Sequence, residues 1–164
     1  MLVGQVVGID MAEALGDGLR ERGLRVVFTN GHFDLLHVGH LRYLQAARAL
    51  GDTLIVGVND DAVTTRRKGP ERPVLPEDER AELLAGLACV DYVFIFHEPT
   101  AERAVALLRP DVYVKGGDYG PGGAELPEAR VVAGYGGETV ILPLEPGRST
   151  SAIVAAIRDG TPPR

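Results

Sequence analysis

Five short apolar runs, separated by segments of helical character, constrain this chain more than any other feature. They are RVVFTN (25–30), TLIVGV (53–58), DYVFIF (91–96), DVYVKGG (111–117) and ETVILPL (138–144). Each is rich in β-branched and aromatic residues and nearly continuous in its apolar character. Strands that alternate apolar and polar residues leave one face in water, whereas unbroken runs are buried on both faces. The intervening segments carry helix signals. Residues 10–22 end at Gly23, and residues 38–50 repeat Leu41, Leu44, Ala47 and Leu50 at helical spacing before Gly51. Pro76 is placed to open a helix with Glu77, Asp78 and Glu79 in its first turn, matching the positive end of the helix dipole. Residues 100–110 stop at Pro110, ELPEARVVAGYGG suggests another helix, and residues 149–160 close the chain. The polar, proline-containing residues 59–75 are expected to form a long loop.

This alternation predicts an α/β fold: a single Rossmann-like, doubly wound domain with a five-stranded parallel sheet. The length of 164 residues suits one core. Residues 1–24 read as an N-terminal helical extension, 25–160 as the domain and 161–164 as a tail.

Charge narrows the partners. A formal net charge of −6 argues against binding nucleic-acid backbone, which needs a basic face. The lone Cys89 cannot form a disulfide within the chain. The first residues lack a basic n-region and carry Asp10 and Glu13, so they do not read as a signal peptide. No apolar stretch reaches membrane-spanning length. The expectation is a cytoplasmic protein that engages neither membrane nor nucleic acid.

In an open doubly wound sheet, ligands bind beyond the carboxyl ends of the strands. Four unusual segments fall there. TNGHFDLLHVGH (29–40), with three of the four histidines, follows the first run, and TTRRKGPERPV (64–74) follows the second. KGGDY (115–119) ends the fourth, and RSTS (148–151) follows the fifth. The histidine segment admits metal ligation, acid–base work, phosphate contact or packing. His37 and His40 stand three apart at a predicted helix start, where unpaired N–H groups and the dipole favour an anion. A zinc site usually needs a third protein ligand, so no metal site is expected. Gly39 keeps the surface between the two rings bare. Asn30 and Gly31 fit a tight turn, Asp34 fits a cap before the helix, and His32 reads as a bystander. Arginine supplies all the basic residues except Lys68 and Lys115, each followed by glycine, which suggests a need for a compact ammonium there. Arg66, Arg67 and Arg72 accompany Lys68. Arg80 is placed either to reach the same anion or to pair with Glu77 or Asp78. Gly116 lets backbone approach a nucleotide. Ser149, Thr150 and Ser151 offer hydroxyls at a helix start, as cap or as phosphate contacts.

NGHFDLLHVGH resembles the GxFDxxHxGH signature of the nucleotidyltransferase superfamily that includes cytidylyltransferases, and RSTSAI resembles its ISTS-type second signature. TNGHFDLLHVGHLRYLQAAR, LIVGVNDDA, KGPERPV and PDVYVKGGDY are most similar to the adenylyltransferase domain of heptose-pathway enzymes. The resemblance covers roughly residues 25–158. It implies transfer of AMP from ATP to a sugar 1-phosphate, D-glycero-D-manno-heptose 1-phosphate, by in-line attack on the α-phosphate with release of pyrophosphate. Carried over by position, His37, His40 and Lys68 would be catalytic, with His40 nearest the α-phosphate and Lys68 on a mobile loop. Thr29, Asn30, Gly31, Phe33, Lys115, Gly116, Asp118, Arg148, Ser149, Thr150 and Ser151 would bind the nucleotide. Asp34, Arg66, Arg67, Arg72 and Arg80 are phosphate or substrate candidates. Magnesium would accompany the triphosphate, and a homodimer is implied. Such enzymes often carry a fused sugar kinase, for which these 164 residues leave no room. Arg148 stands where many relatives have an apolar residue and would add a phosphate ligand. The alternative within the class is cytidylyl transfer to glycerol 3-phosphate or another small phosphate. Outside it stands a non-catalytic nucleotide-binding module, which predicts loss of one rim element; His37, His40, Lys68 and the C-terminal hydroxyls are all present.

Overall fold

A computed structural model describes residues 4–117, 119, 123, 125–143 and 149–160. The chain forms a parallel sheet with helices on both faces, as the alternation predicts. In chain order the elements are β1 (Gln5–Val6), a 3-10 turn (Ile9–Met11), α1 (Ala12–Glu21), β2 (Val26–Gly31), α2 (Val38–Arg48) and β3 (Thr53–Asn59). They continue with α3 (Asp61–Lys68), α4 (Glu77–Ala85), β4 (Tyr92–Phe96), α5 (Glu102–Leu108) and β5 (Val112–Gly116). The last are α6 (Pro127–Gly134), β6 (Glu138–Leu142) and α7 (Thr150–Asp159). Among the described residues no helix is long and apolar enough to cross a membrane.

The strand order is β1-β4-β3-β2-β5-β6, with every pairing parallel. Successive strand residues face opposite sides, and the two cores follow that period. Phe28, Ile55, Phe94 and Tyr113 pack on one side against Ala12 and Leu19 of α1, Leu108 of α5 and Val132 of α6. Their neighbours Val27, Leu54, Val56, Val93, Val112 and Val114 pack on the other side against Leu44 of α2 and Leu84 of α4. The unbroken apolar runs are thus explained by two helix layers, each needing every second side chain.

Four expectations are corrected. Among the described residues the sheet has six strands, not five: Gln5–Val6 adds an edge strand with Gln5 opposite Tyr92. Two exposed residues carry no periodicity, and tertiary pairing alone makes them a strand. Residues 5–21 therefore build part of the domain, and Ala12 is wholly buried. The segment 59–75 is not a loop throughout, because α3 occupies Asp61–Lys68. Two threonines and three successive basic residues hide the helix in the sequence. Asp60 starts it, its Oδ1 accepting from Val63 N at 2.6 Å. The basic run then sits at the helix C-terminus, where the dipole favours cations. Asn30 and Gly31 are likewise not a tight turn but the last paired residues of β2, opposite Gly57 and Val58.

The chain order reverses at β2. It steps outward through β3 and β4, then returns to place β5 and β6 on the other side of β2. The crevice beyond the carboxyl ends of β2 and β5 is the topological switch point, where such sheets bind ligands.

Candidate active site

β2 ends at Gly31, and the chain leaves the sheet through Phe33, whose φ of 46° lies in the left-handed region. Three ties hold that conformation. Arg80 Nη1 donates to the His32 carbonyl at 2.5 Å. Asp34 accepts from Val74 N at 2.7 Å, from Leu75 N at 3.2 Å and from Arg72 Nη1 at 2.5 Å. Thr150 Oγ1 donates to the Leu35 carbonyl at 3.2 Å, docking the start of α7 onto the loop. Asp34 therefore does not cap α2; it clamps the segment before α4. Burial opposes its charge, but Arg72 and the two backbone N–H groups hold its carboxyl below the usual range.

The cap of α2 is His37, whose Nδ1 accepts from Gly39 N at 3.1 Å. A neutral His37 then carries its proton on Nε2. His40 stacks on His37 with ring centroids 3.8 Å apart and meets the edge of Phe33 at 5.3 Å. His40 Nδ1 is buried with no hydrogen-bond partner among the described residues. Burial, then His37, push the His40 pKa down to about 4, against a backbone hydrogen bond with Leu35 that raises it. An unpaired buried nitrogen costs about 1–3 kcal/mol and calls for an explanation. His40 itself stands where the N-termini of α2 and α7 meet.

A cleft of about 300 Å³ lies at that point, lined by His37 and His40, by Ser149, Thr150 and Ser151, and by Lys68 and Arg72. Neither α2 nor α7 has an acidic residue in its first turn. Ser149 caps α7 by accepting from Ala152 N at 3.1 Å. Two helix N-termini, Lys68 and a row of hydroxyls meet here, with Arg72 paired to Asp34 on the same wall, a combination suited to an anion. Lys68 does not ride a loop; it ends α3 and reaches the cleft from a helix. Lys68, Arg72 and Ser151 also border an adjoining outer cleft of about 590 Å³, whose far side holds an Arg158–Glu71 ion pair.

A second cleft of about 360 Å³ continues past His40 toward β5, bordered by Asn30, Gly31, Phe33, Tyr43, Lys115 and Gly116. Asn30 Oδ1 accepts from Tyr113 Oη at 2.8 Å and from Lys115 Nζ at 3.1 Å. Burial lowers the Lys115 pKa, with Glu128 opposing and Arg67 adding to the shift. A buried ammonium held by an amide oxygen stays competent to meet an anion.

Several sequence candidates lie elsewhere. Thr29 is fully buried and its hydroxyl meets Tyr43 Oη at 2.7 Å, so it lines neither cleft. Arg80 is wholly buried, lines neither cleft and, among the described residues, pairs with neither Glu77 nor Asp78. Its guanidinium is spent on the carbonyls of His32, Asn59 and Leu75 and on Asp61. Arg66 is exposed and borders none of these clefts, whereas Arg67 lines the second cleft and also donates to the Pro99 carbonyl at 2.7 Å. Asp118 and Arg148 lie outside the described residues. Two cleft residues escaped the sequence reading. Tyr43 stands one turn after His40, a spacing that points at the same cleft. His32 lines both clefts, and no sequence spacing reveals its bond to Thr64.

Among the described residues no group of three or more His, Cys, Asp or Glu is arranged to hold a metal ion. The buried carboxylate beside the cleft, Asp34, is committed to Arg72 and two backbone N–H groups.

Fold and site together define a nucleotide-binding α/β domain with its anion cleft at the switch point. The chain belongs to the cytidylyltransferase-like family, whose model matches residues 28–154. The bifunctional protein HldE of Syntrophotalea carbinolica is 51% identical over 154 residues, covering 92% of this chain and 31% of that protein. HldE of Geotalea uraniireducens is 48% identical over 157 residues, 96% of this chain and 32% of its own length. The chain thus spans about a third of these relatives. A lipopolysaccharide core biosynthesis protein of Thermoplasma volcanium superposes with a TM-score of 0.61 at 32% identity, over 75% of this chain and 98% of that one. The pantoate-β-alanine ligase of Francisella tularensis gives a TM-score of 0.63 over 91% of this chain and 69% of that one. At 13% identity it speaks for the fold alone.

Proposed function

We propose that the domain transfers AMP from ATP to D-glycero-D-manno-heptose 1-phosphate and releases pyrophosphate. The observation that carries this reading is the convergence of His37, His40, Lys68 and the hydroxyls of Ser149, Thr150 and Ser151 on one cleft between two helix N-termini. The similarity to the HldE proteins and to the lipopolysaccharide core biosynthesis protein favours a sugar phosphate as acceptor. The acceptor phosphate is already an anionic nucleophile, so no general base is required. The chemistry is positioning and charge stabilisation. His40 meets the α-phosphate. Lys68 and the α7 N-terminus draw the leaving phosphates away along the outer cleft. Asn30, Lys115 and Gly116 border the nucleoside. Magnesium with the triphosphate, a homodimer and a cytoplasmic location belong to the same proposal.

The test is pyrophosphate release with ATP or CTP, each against heptose 1-phosphate or glycerol 3-phosphate. The expected result is turnover with ATP and heptose 1-phosphate at a kcat/KM at least about 10²-fold above the other pairs, the discrimination hydrogen-bonding sites readily reach. Preferential turnover with CTP and glycerol 3-phosphate would replace this reading with the cytidylyl one. No turnover with any pair would leave a binding module.

A further inference from the structure

His32 occupies the unspecified position between the glycine and phenylalanine of the GxFDxxHxGH pattern, and its ring lines both clefts. Its hydrogen bonding fixes where its proton sits. Thr64 Oγ1 donates its single hydrogen to the Asp60 carbonyl at 2.8 Å. The same oxygen lies 2.9 Å from His32 Nδ1, so Nδ1 must carry the hydrogen of that contact. A second proton is opposed by burial and by Lys68, Arg67, Arg80 and Lys115, which together push the pKa down to about 4. The ring is therefore neutral at physiological pH, with a lone pair on Nε2. Among the described residues no hydrogen bond engages that nitrogen.

A lone pair with no partner stands out in a cleft furnished mainly with ammonium, guanidinium, hydroxyls and helix N-termini. It repels phosphate oxygens and attracts an O–H or N–H group. It borders both clefts, and its tether points to one of the two sources of such a donor. Asn30, Lys115 and Gly116 border the β5 side of the crevice. His32 is tethered to Thr64 of α3, the helix that follows β3, on the opposite side of β2. We propose that Nε2 of neutral His32 accepts a hydrogen bond from a hydroxyl of the phosphorylated polyol that attacks the nucleotide, and so sets acceptor specificity. This rests on the proposed reaction for the identity of the acceptor.

The test separates acceptor from nucleotide. His32→Leu keeps the bulk and removes the lone pair. It should raise KM for heptose 1-phosphate about tenfold, the worth of one hydrogen bond, with kcat and KM for ATP within about twofold. His32→Gln places an amide oxygen near the position of Nε2 and should recover acceptor KM to within about threefold. Equal rises in both KM values, a rise for ATP alone or no change would overturn the assignment. Calorimetric titration of heptose 1-phosphate into protein saturated with a non-hydrolysable ATP analogue reads the contact without chemistry. Binding weakened by His32→Leu in a protein without turnover would retain the contact while removing the reaction. No binding to the unaltered protein would overturn the contact.

Discussion

Arg80→Met tests whether one buried cation holds the site loop in place. Arg80 is wholly buried, and its guanidinium donates to Leu75 O at 3.0 Å, His32 O at 2.5 Å, Asn59 O at 3.0 Å and Asp61 Oδ1 at 2.6 Å. Methionine keeps an unbranched apolar stem, so packing loss is small, but three carbonyls lose their donor. Each is worth about 1–1.5 kcal/mol when its partner stays buried. The Asp61 carboxyl is 43% exposed and is resolvated, so it adds little. The sum is about 3–4.5 kcal/mol, within the range of about 3–5 kcal/mol for breaking a buried ion-bonded network. For a domain of this size it corresponds to a fall in melting temperature of about 6–18 °C at roughly 2–4 °C per kcal/mol. Urea unfolding should show a lower midpoint at unchanged slope, since the surface exposed on unfolding is the same. A loss below about 1 kcal/mol would refute the reasoning, because the three carbonyls would then have found other donors.

Other expectations follow from the same contacts. His40→Ala should lower kcat by about 10²-fold at similar KM for ATP, in pyrophosphate-release kinetics; an unchanged kcat would make His40 a packing residue. His32 and His40 both titrate near 4 in the folded protein against about 6.5 when exposed. The unfolded chain therefore binds more protons between those values, and stability is full above about pH 6.5 and declines as pH falls toward 4. Thermal melts across that range should show the decline, and it should be shallower in a His32→Leu, His40→Leu double variant. Gly16→Ala places a Cβ 2.3 Å from the Leu108 carbonyl oxygen, so α1 and α5 must separate. It should destabilise by about 1–3 kcal/mol in urea unfolding despite alanine's better helix propensity, and a gain in stability would refute the close approach.

The sequence by itself determined the layers of this fold. Unbroken runs such as TLIVGV can be buried only between two helix layers, and that local chemistry fixes a covered parallel sheet. It also determined that His37, His40, Lys68 and the 149–151 hydroxyls lie on one rim, because each follows a strand. The signature pattern added the reaction class. Tertiary structure decided what each group does there. Gln5–Val6 is a strand only because β4 offers an open edge, and Asp61–Lys68 is a helix despite its weak pattern because Asp60 caps it. Asp34 and Arg80 carry the right charges for a ligand, yet both are consumed by backbone groups from other loops, and no spacing announces a partner forty residues away. His32 moves the opposite way. Its proton is placed by Thr64, thirty-two positions on, and that long-range bond turns an apparent bystander into a hydrogen-bond acceptor in the cleft.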